Sequence, residues 1–220
     1  MKKLKNVTVF LLFTYSAGVL IGITFWFLRL IGVLKVKGWQ NFPHWRKKVV
    51  VISNHPSLVE PVLLVGLFFH QYVFRPFKYG PWTLADKKNY YDKYPLLQPR
   101  LIPIDRTRKN GDVKGLSTAK HIIRSGGSTI WFPEGGRTCK GKIFLMSRKG
   151  KRIRIPLKEG FVSLVTEPGA ILSPIWFEYN RWYDMHLTIG ELSVFTSSTP
   201  RDEVVTRTEQ VLLELADHRD

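Results

Sequence analysis

Apolar positions in this chain form one long block followed by a series of short ones. Residues 6–28 carry no charged side chain, and a helix of that length, rising 1.5 Å per residue, reaches across roughly 30 Å of hydrocarbon. The short blocks predict strands and helices in turn. Val49-Val50-Val51-Ile52-Ser53 is continuously apolar and β-branched, the pattern of a strand buried on both faces of a parallel sheet. Pro56 suits the first position of a helix, where its missing N–H has no intrahelical partner to lose, and Leu58, Val62, Leu63 and Val65 continue an apolar helical face. After an aromatic, proline-containing stretch over 72–99, residues 101–104 predict a second strand. A helix over 113–124 then stops at Gly126-Gly127, and a third strand covers 128–132. A short helix over 158–167, strands over 170–177 and 185–192, and a helix over 201–217 complete the pattern. The last has Val204, Val205, Thr208, Val211, Leu212 and Leu215 at helical spacing.

Repeated strand, turn, helix, strand units predict an α/β fold: a mixed, mostly parallel sheet flanked by helices, with an N-terminal membrane-embedded helical segment. The expected division is an anchor over 1–37, either a transmembrane helix or a re-entrant helix pair bending at Gly18 or Gly22, and an α/β domain over 38–220. The Gly18-x-x-x-Gly22 spacing also suits a helix-packing face. At 220 residues and 44% hydrophobic content the chain is long enough for one sizeable core.

Charge narrows the partners. A formal net charge of +17 implies a polyanion, either an anionic lipid surface or nucleic acid. The apolar N-terminus decides for the membrane and against nucleic acid. A cleaved signal peptide fits poorly, because the apolar run is too long and lacks an Ala-x-Ala-like site. Arg29, Lys35, Lys37, Arg46, Lys47 and Lys48 outweigh Lys2, Lys3 and Lys5 on the other flank, which places the globular domain on the cytoplasmic face. Between residues 137 and 158 there are nine Lys or Arg and no acid, interleaved with apolar residues, a strip suited to anionic lipid or to the phosphates of coenzyme A. Cys139 is the single cysteine, which excludes an intramolecular disulfide. His44, His70, His121, His186 and His218 show no metal-ligand spacing, so no metal is expected.

Candidate chemistry gathers at strand ends. His55, with the carboxylate of Glu60 five positions on, is a general base with a partner able to fix its tautomer and stabilise the imidazolium. No serine or cysteine nucleophile is then needed, because an acceptor hydroxyl can attack a thioester directly. Glu134-Gly135-Gly136-Arg137 follows another strand; its small residues let backbone approach a ligand, and its guanidinium can grip a phosphate in forked geometry.

Asn54-His55-Pro56-Ser57-Leu58-Val59-Glu60, Leu101-Ile102-Pro103-Ile104-Asp105-Arg106, Phe132-Pro133-Glu134-Gly135-Gly136-Arg137-Thr138 and Ser173-Pro174-Ile175-Trp176 resemble the four ordered motifs of the lysophospholipid acyltransferase family. The resemblance implies a membrane-bound O-acyltransferase that moves a fatty acyl group from acyl-CoA or acyl carrier protein to a lysophospholipid hydroxyl, with 1-acylglycerol-3-phosphate the default acceptor. His55 and Glu60 would be catalytic; Arg106, Glu134, Gly135, Gly136 and Arg137 would bind substrate; no cofactor beyond the acyl co-substrate is implied. Glu60 replaces the family's usual Asp, and Gly136 its usual Thr. The second departure opens the alternative of another lyso-lipid acceptor, an aminolipid or a glycolipid. A catalytically silent protein that binds anionic lipid is the alternative from a different class.

Overall fold

The computed structural model describes residues 2–105 and 113–218. Its strands are β1 (Leu34–Lys37), β2 (Val49–Ser53), β3 (Pro81–Asp86), β4 (Leu101–Ile104), β5 (Ser128–Trp131), β6 (Ile143–Met146), β7 (Arg152–Ile155), β8 (Ile171–Arg181) and β9 (Asp184–Ile189). Seven form one sheet in the order β1-β9-β8-β2-β5-β3-β4, while β6 and β7 pair as a separate antiparallel hairpin. Every neighbouring pair in the large sheet is parallel except β8 with β9. This is the mixed, mostly parallel sheet that the apolar blocks predict.

β2 lies inside the sheet, and its side chains alternate between two cores. Val49 and Val51 join the cluster formed with Leu63, Leu64 and Leu67 of the helix Glu60–Leu67 and with Phe25 of the N-terminal helix. Val50 and Ile52 join Ala119 and Ile123 of the helix Val113–Arg124 and Val204 and Leu212 of Arg201–Asp217. All four β2 side chains are fully buried. At about 1.5–3 kcal/mol for each such side chain removed from water, this strand is a principal source of stability, and it ends at the candidate base.

The N-terminal segment is one helix. Lys2–Phe13 and Val19–Leu30 are joined through a π-helical turn, Thr14–Gly18, without a break: Gly18 has φ −64° and ψ −41°. The chain stays helical through Gly18 and Gly22, with no turn there to form a helix pair. Its glycines serve packing instead. A Cβ at Gly22 would overlap the Phe69 ring, and across the interface one at Gly66 would come within 2.6 Å of the Phe25 Cβ. The wider π turn frees the Gly18 carbonyl, which accepts a hydrogen bond from the Tyr72 hydroxyl. Below it, the buried Arg100 guanidinium donates to the Pro76 carbonyl at 2.8 Å and the Gly80 carbonyl at 3.1 Å and lies 4.0 Å from the Phe10 ring centroid. Burial lowers the Arg100 pKa to about 10, which leaves it charged at neutral pH.

Several local features depart from the sequence reading, among them the β6–β7 hairpin, which it did not expect, and the helix expected over 158–167, which is a 3-10 turn followed by the short helix Val162–Val165. Residues 34–37, assigned there to the anchor, form β1 and pair with β9 from Leu34↔Met185 to Lys37↔Thr188. The helix after β2 begins at Glu60 instead of Pro56, so Pro61 occupies the first turn, where its absent N–H costs nothing. The stretch 72–99 contains β3, which sits between β5 and β4 with Pro81 at its first position, a place a strand tolerates.

Candidate active site

β2 and β5 run parallel with Ile52 opposite Trp131, so their carboxyl ends deliver residues 54–60 and 132–138 to the same edge of the sheet. Asn54 continues the ladder with its side chain: Nδ2 donates to the Phe177 carbonyl at 2.8 Å, and Oδ1 accepts the Phe177 N–H at 2.7 Å. The loop is thereby locked to β8 one residue before His55.

Residues 56–59 turn back before the helix begins, and this brings Glu60 under the imidazole. His55 Nδ1 makes a short hydrogen bond to Glu60 Oε1, and Ser57 Oγ donates to Glu60 Oε2 at 2.5 Å. Glu60 is fully buried, while 13% of the His55 side chain remains exposed. A carboxylate at Nδ1 holds the proton there and leaves the Nε2 lone pair free. Among the described residues Nε2 has no partner. The longer Glu side chain is accommodated by the start of the helix at residue 60, with Ser57 occupying the second oxygen. Phe132 covers one face of the imidazole at 4.7 Å between centroids.

Glu134 points inward. It is fully buried, and its two oxygens take three donors: Oε1 accepts the His55 backbone N–H at 2.8 Å and the Thr138 hydroxyl at 2.8 Å, and Oε2 accepts the Arg154 backbone N–H at 2.9 Å. Thr138 N–H returns to the His55 carbonyl at 2.8 Å. Burial pushes the Glu134 carboxyl pKa up, and these donors pull against that shift. The geometry makes Glu134 a tie between the His55 loop, its own turn and β7. We expect Glu134→Gln to lower turnover and stability together, because its amide nitrogen would face a backbone N–H. Losing such a buried acceptor costs about 1–3 kcal/mol. Thermal melting and kcat measured on the same preparation check this, and an unchanged Tm would dismiss the tie.

Gly135 has φ +67°, and a Cβ there would lie 2.9 Å from Lys158 Cγ, so the turn requires glycine. Its N–H donates to the Phe132 carbonyl at 3.2 Å, while the Gly136 and Arg137 N–H groups have no backbone partner among the described residues. Arg137 is half-buried, and its guanidinium has no carboxylate or hydrogen-bond partner among the described residues. Arg106 lies outside the described residues; Asp105, just past the end of β4, is the last residue described before it. No group of three or more His, Cys, Asp or Glu capable of holding a metal occurs among the described residues. The structure thus brings His55, Glu60, Glu134, Gly135, Gly136 and Arg137 together. Sequence reasoning gave no role to Asn54, Ser57, Phe132 or Thr138, although all four fall inside the quoted motifs.

The arrangement is an imidazole whose Nε2 has no partner among the described residues, in a loop bonded to the turn that carries an unpaired guanidinium, at the end of a parallel sheet. A crystal structure titled as the 1-acyl-sn-glycerophosphate (LPA) acyltransferase PlsC from Thermotoga maritima aligns over 100% of both chains with a TM-score of 0.57 and 19% sequence identity, a likeness of fold. No curated protein sequence matches the chain. The family profile described as Acyltransferase matches residues 33–178, from the turn before β1 into β8 and across all the residues just described. The chain belongs to the acyltransferase family.

Proposed function

We propose that this acyltransferase is membrane-bound and transfers a fatty acyl group from acyl-CoA or acyl carrier protein to the free hydroxyl of a lysophospholipid, with 1-acylglycerol-3-phosphate as acceptor and phosphatidic acid as product. The observation that carries this reading is the unpaired Arg137 guanidinium in the turn bonded to the His55 loop. A half-buried cation without a carboxylate calls for an anionic ligand, and a phosphate monoester matches its fork. His55 Nε2 takes the proton from the acceptor hydroxyl as the oxygen attacks the thioester carbonyl. Glu60 stabilises the imidazolium, and the Gly136 N–H is placed to meet the developing oxyanion. Collapse of the tetrahedral intermediate expels the thiolate, which takes the proton back from Nε2. Arg106 would supply a second cation to the acceptor phosphate.

Membrane association is supported by the helix Val7–Leu30, long and apolar enough to cross a bilayer. Leu12, Leu20, Ile23, Phe27 and Leu30 are exposed on it, whereas Phe10, Gly18, Gly22 and Phe25 pack on the domain. The exposed flank would face hydrocarbon, and the heavier basic flank after residue 28 would keep the catalytic domain on the cytoplasmic side, against anionic lipid.

The test is Arg137→Lys. An ammonium keeps the charge and loses the forked donors, so the Michaelis constant for lysophosphatidic acid should rise by roughly tenfold with that for the acyl donor little changed. If the donor constant moves and the acceptor constant does not, this turn serves the donor. Activity on an aminolipid or glycolipid lyso-acceptor, undisturbed by the substitution, would identify an acceptor without a phosphate monoester.

A further inference from the structure

The β6–β7 hairpin presents two unlike faces. Register pairs Leu145 with Ile153, and Ile153 is fully buried, so this face joins the core. The opposite face carries Phe144 and Met146 beside Arg154 and Arg152, their cross-strand partners. Met146 is 59% exposed, and the Arg152 guanidinium lies 4.6 Å from the Phe144 ring centroid. Neither arginine has a carboxylate partner among the described residues, nor do Lys140 and Lys142, which lead into β6. Lys151 is paired with Glu178 at 2.6 Å.

The hairpin is held rigidly at both ends. At its tip the Arg148 and Lys149 N–H groups donate to the Asp217 carboxylate at 3.0 and 2.8 Å, which fastens it to the end of the helix Arg201–Asp217. At its base the Arg154 N–H donates to Glu134, whose other oxygen holds the His55 backbone. A cationic platform with a half-buried Phe144 and an exposed Met146 is therefore coupled to the His55 loop through a single carboxylate. Arginine, aromatic residues and methionine are the side chains enriched in protein–protein interfaces, and lysine is depleted there. Phe, Met and two Arg on one preorganised face fit a protein partner better than a lipid headgroup layer, and the charge requires that partner to be acidic.

We propose that the outer face of the β6–β7 hairpin docks an acidic acyl carrier protein and so presents the thioester to His55. This rests on the acyl-transfer reading above and selects between its two donors. The test uses the full chain and compares a fatty-acyl carrier protein with the matching acyl-CoA in parent, Arg152→Glu and Met146→Glu proteins. For both variants the Michaelis constant for the carrier-protein donor should rise about tenfold or more, with that for acyl-CoA and both kcat values near those of the parent. Binding of the unacylated carrier protein, followed by fluorescence anisotropy, should weaken in parallel and fall with added salt. Equal losses with both donors, no loss with the carrier-protein donor, or a parent that uses acyl-CoA but not the carrier protein would each overturn the proposal. So would a defect confined to anionic-vesicle binding, which would make the hairpin a lipid contact. A folded parent inactive with either donor would instead remove the acyl-transfer reading itself.

Discussion

His55→Ala should abolish measurable acyl transfer, a loss of roughly 100-fold or more, while the protein stays folded. The two bonds that fix this loop to the Glu134 turn use the backbone of residue 55: its N–H donates to Glu134, and its carbonyl accepts from Thr138. Alanine keeps both. What it loses is the imidazole, with its stacking on Phe132, an aromatic contact worth about 0.5–1.5 kcal/mol, and its bond to Glu60, whose carboxylate keeps the Ser57 hydroxyl and N–H. Turnover and thermal unfolding measured side by side check this, and near-normal turnover by the folded variant would remove His55 from the chemistry.

The second large effect is expected at Glu60. Glu60→Gln keeps the volume and an oxygen for Nδ1 but removes the charge that offsets the imidazolium, so kcat should fall by roughly 100-fold or more. Glu60→Asp keeps the charge and withdraws it by one methylene. Because Glu60 is fully buried between His55 and Ser57, that shortening leaves a gap at one of the two contacts, and partial activity should remain. The order parent, then Asp, then Gln in kcat is the signature. Equal rates for Gln and parent would reduce Glu60 to a packing residue.

Much of this architecture is legible in the sequence because the signals are local. β2 is continuously β-branched, and the helix Arg201–Asp217 has its apolar spacing and a preceding proline in plain view, so both are read correctly. β3 is obscured because its residues, Pro-Trp-Thr-Leu-Ala-Asp, lack an unbroken apolar run and sit among aromatic, proline-containing neighbours. β6 and β7 are obscured because the basic residues read as a strip for anionic ligands, and the two-faced pattern emerges only when Phe144 is set opposite Arg154. The pairing of His55 with Glu60 is readable from their spacing. The displaced helix start is not, since it depends on Glu60 turning back toward Ser57. Nor can spacing say that Glu134 faces inward, because its three donors come from residues 55, 138 and 154.

The rod at the N-terminus bears on how this enzyme can be handled. Removing it would strip Phe25 from Gly66, take the acceptor from the Tyr72 hydroxyl, and leave the Arg100 guanidinium without the Phe10 ring that covers it. Solubilising the catalytic half by trimming would thus expose a raw core surface, and grafting an unrelated apolar helix in its place would fail without glycines where Phe69 and Tyr72 come closest. The attachment is not a leash. The angle at which the catalytic edge meets its surroundings is set by side-chain packing, so a single bulky substitution at Gly22 would tilt the whole catalytic unit or unseat it.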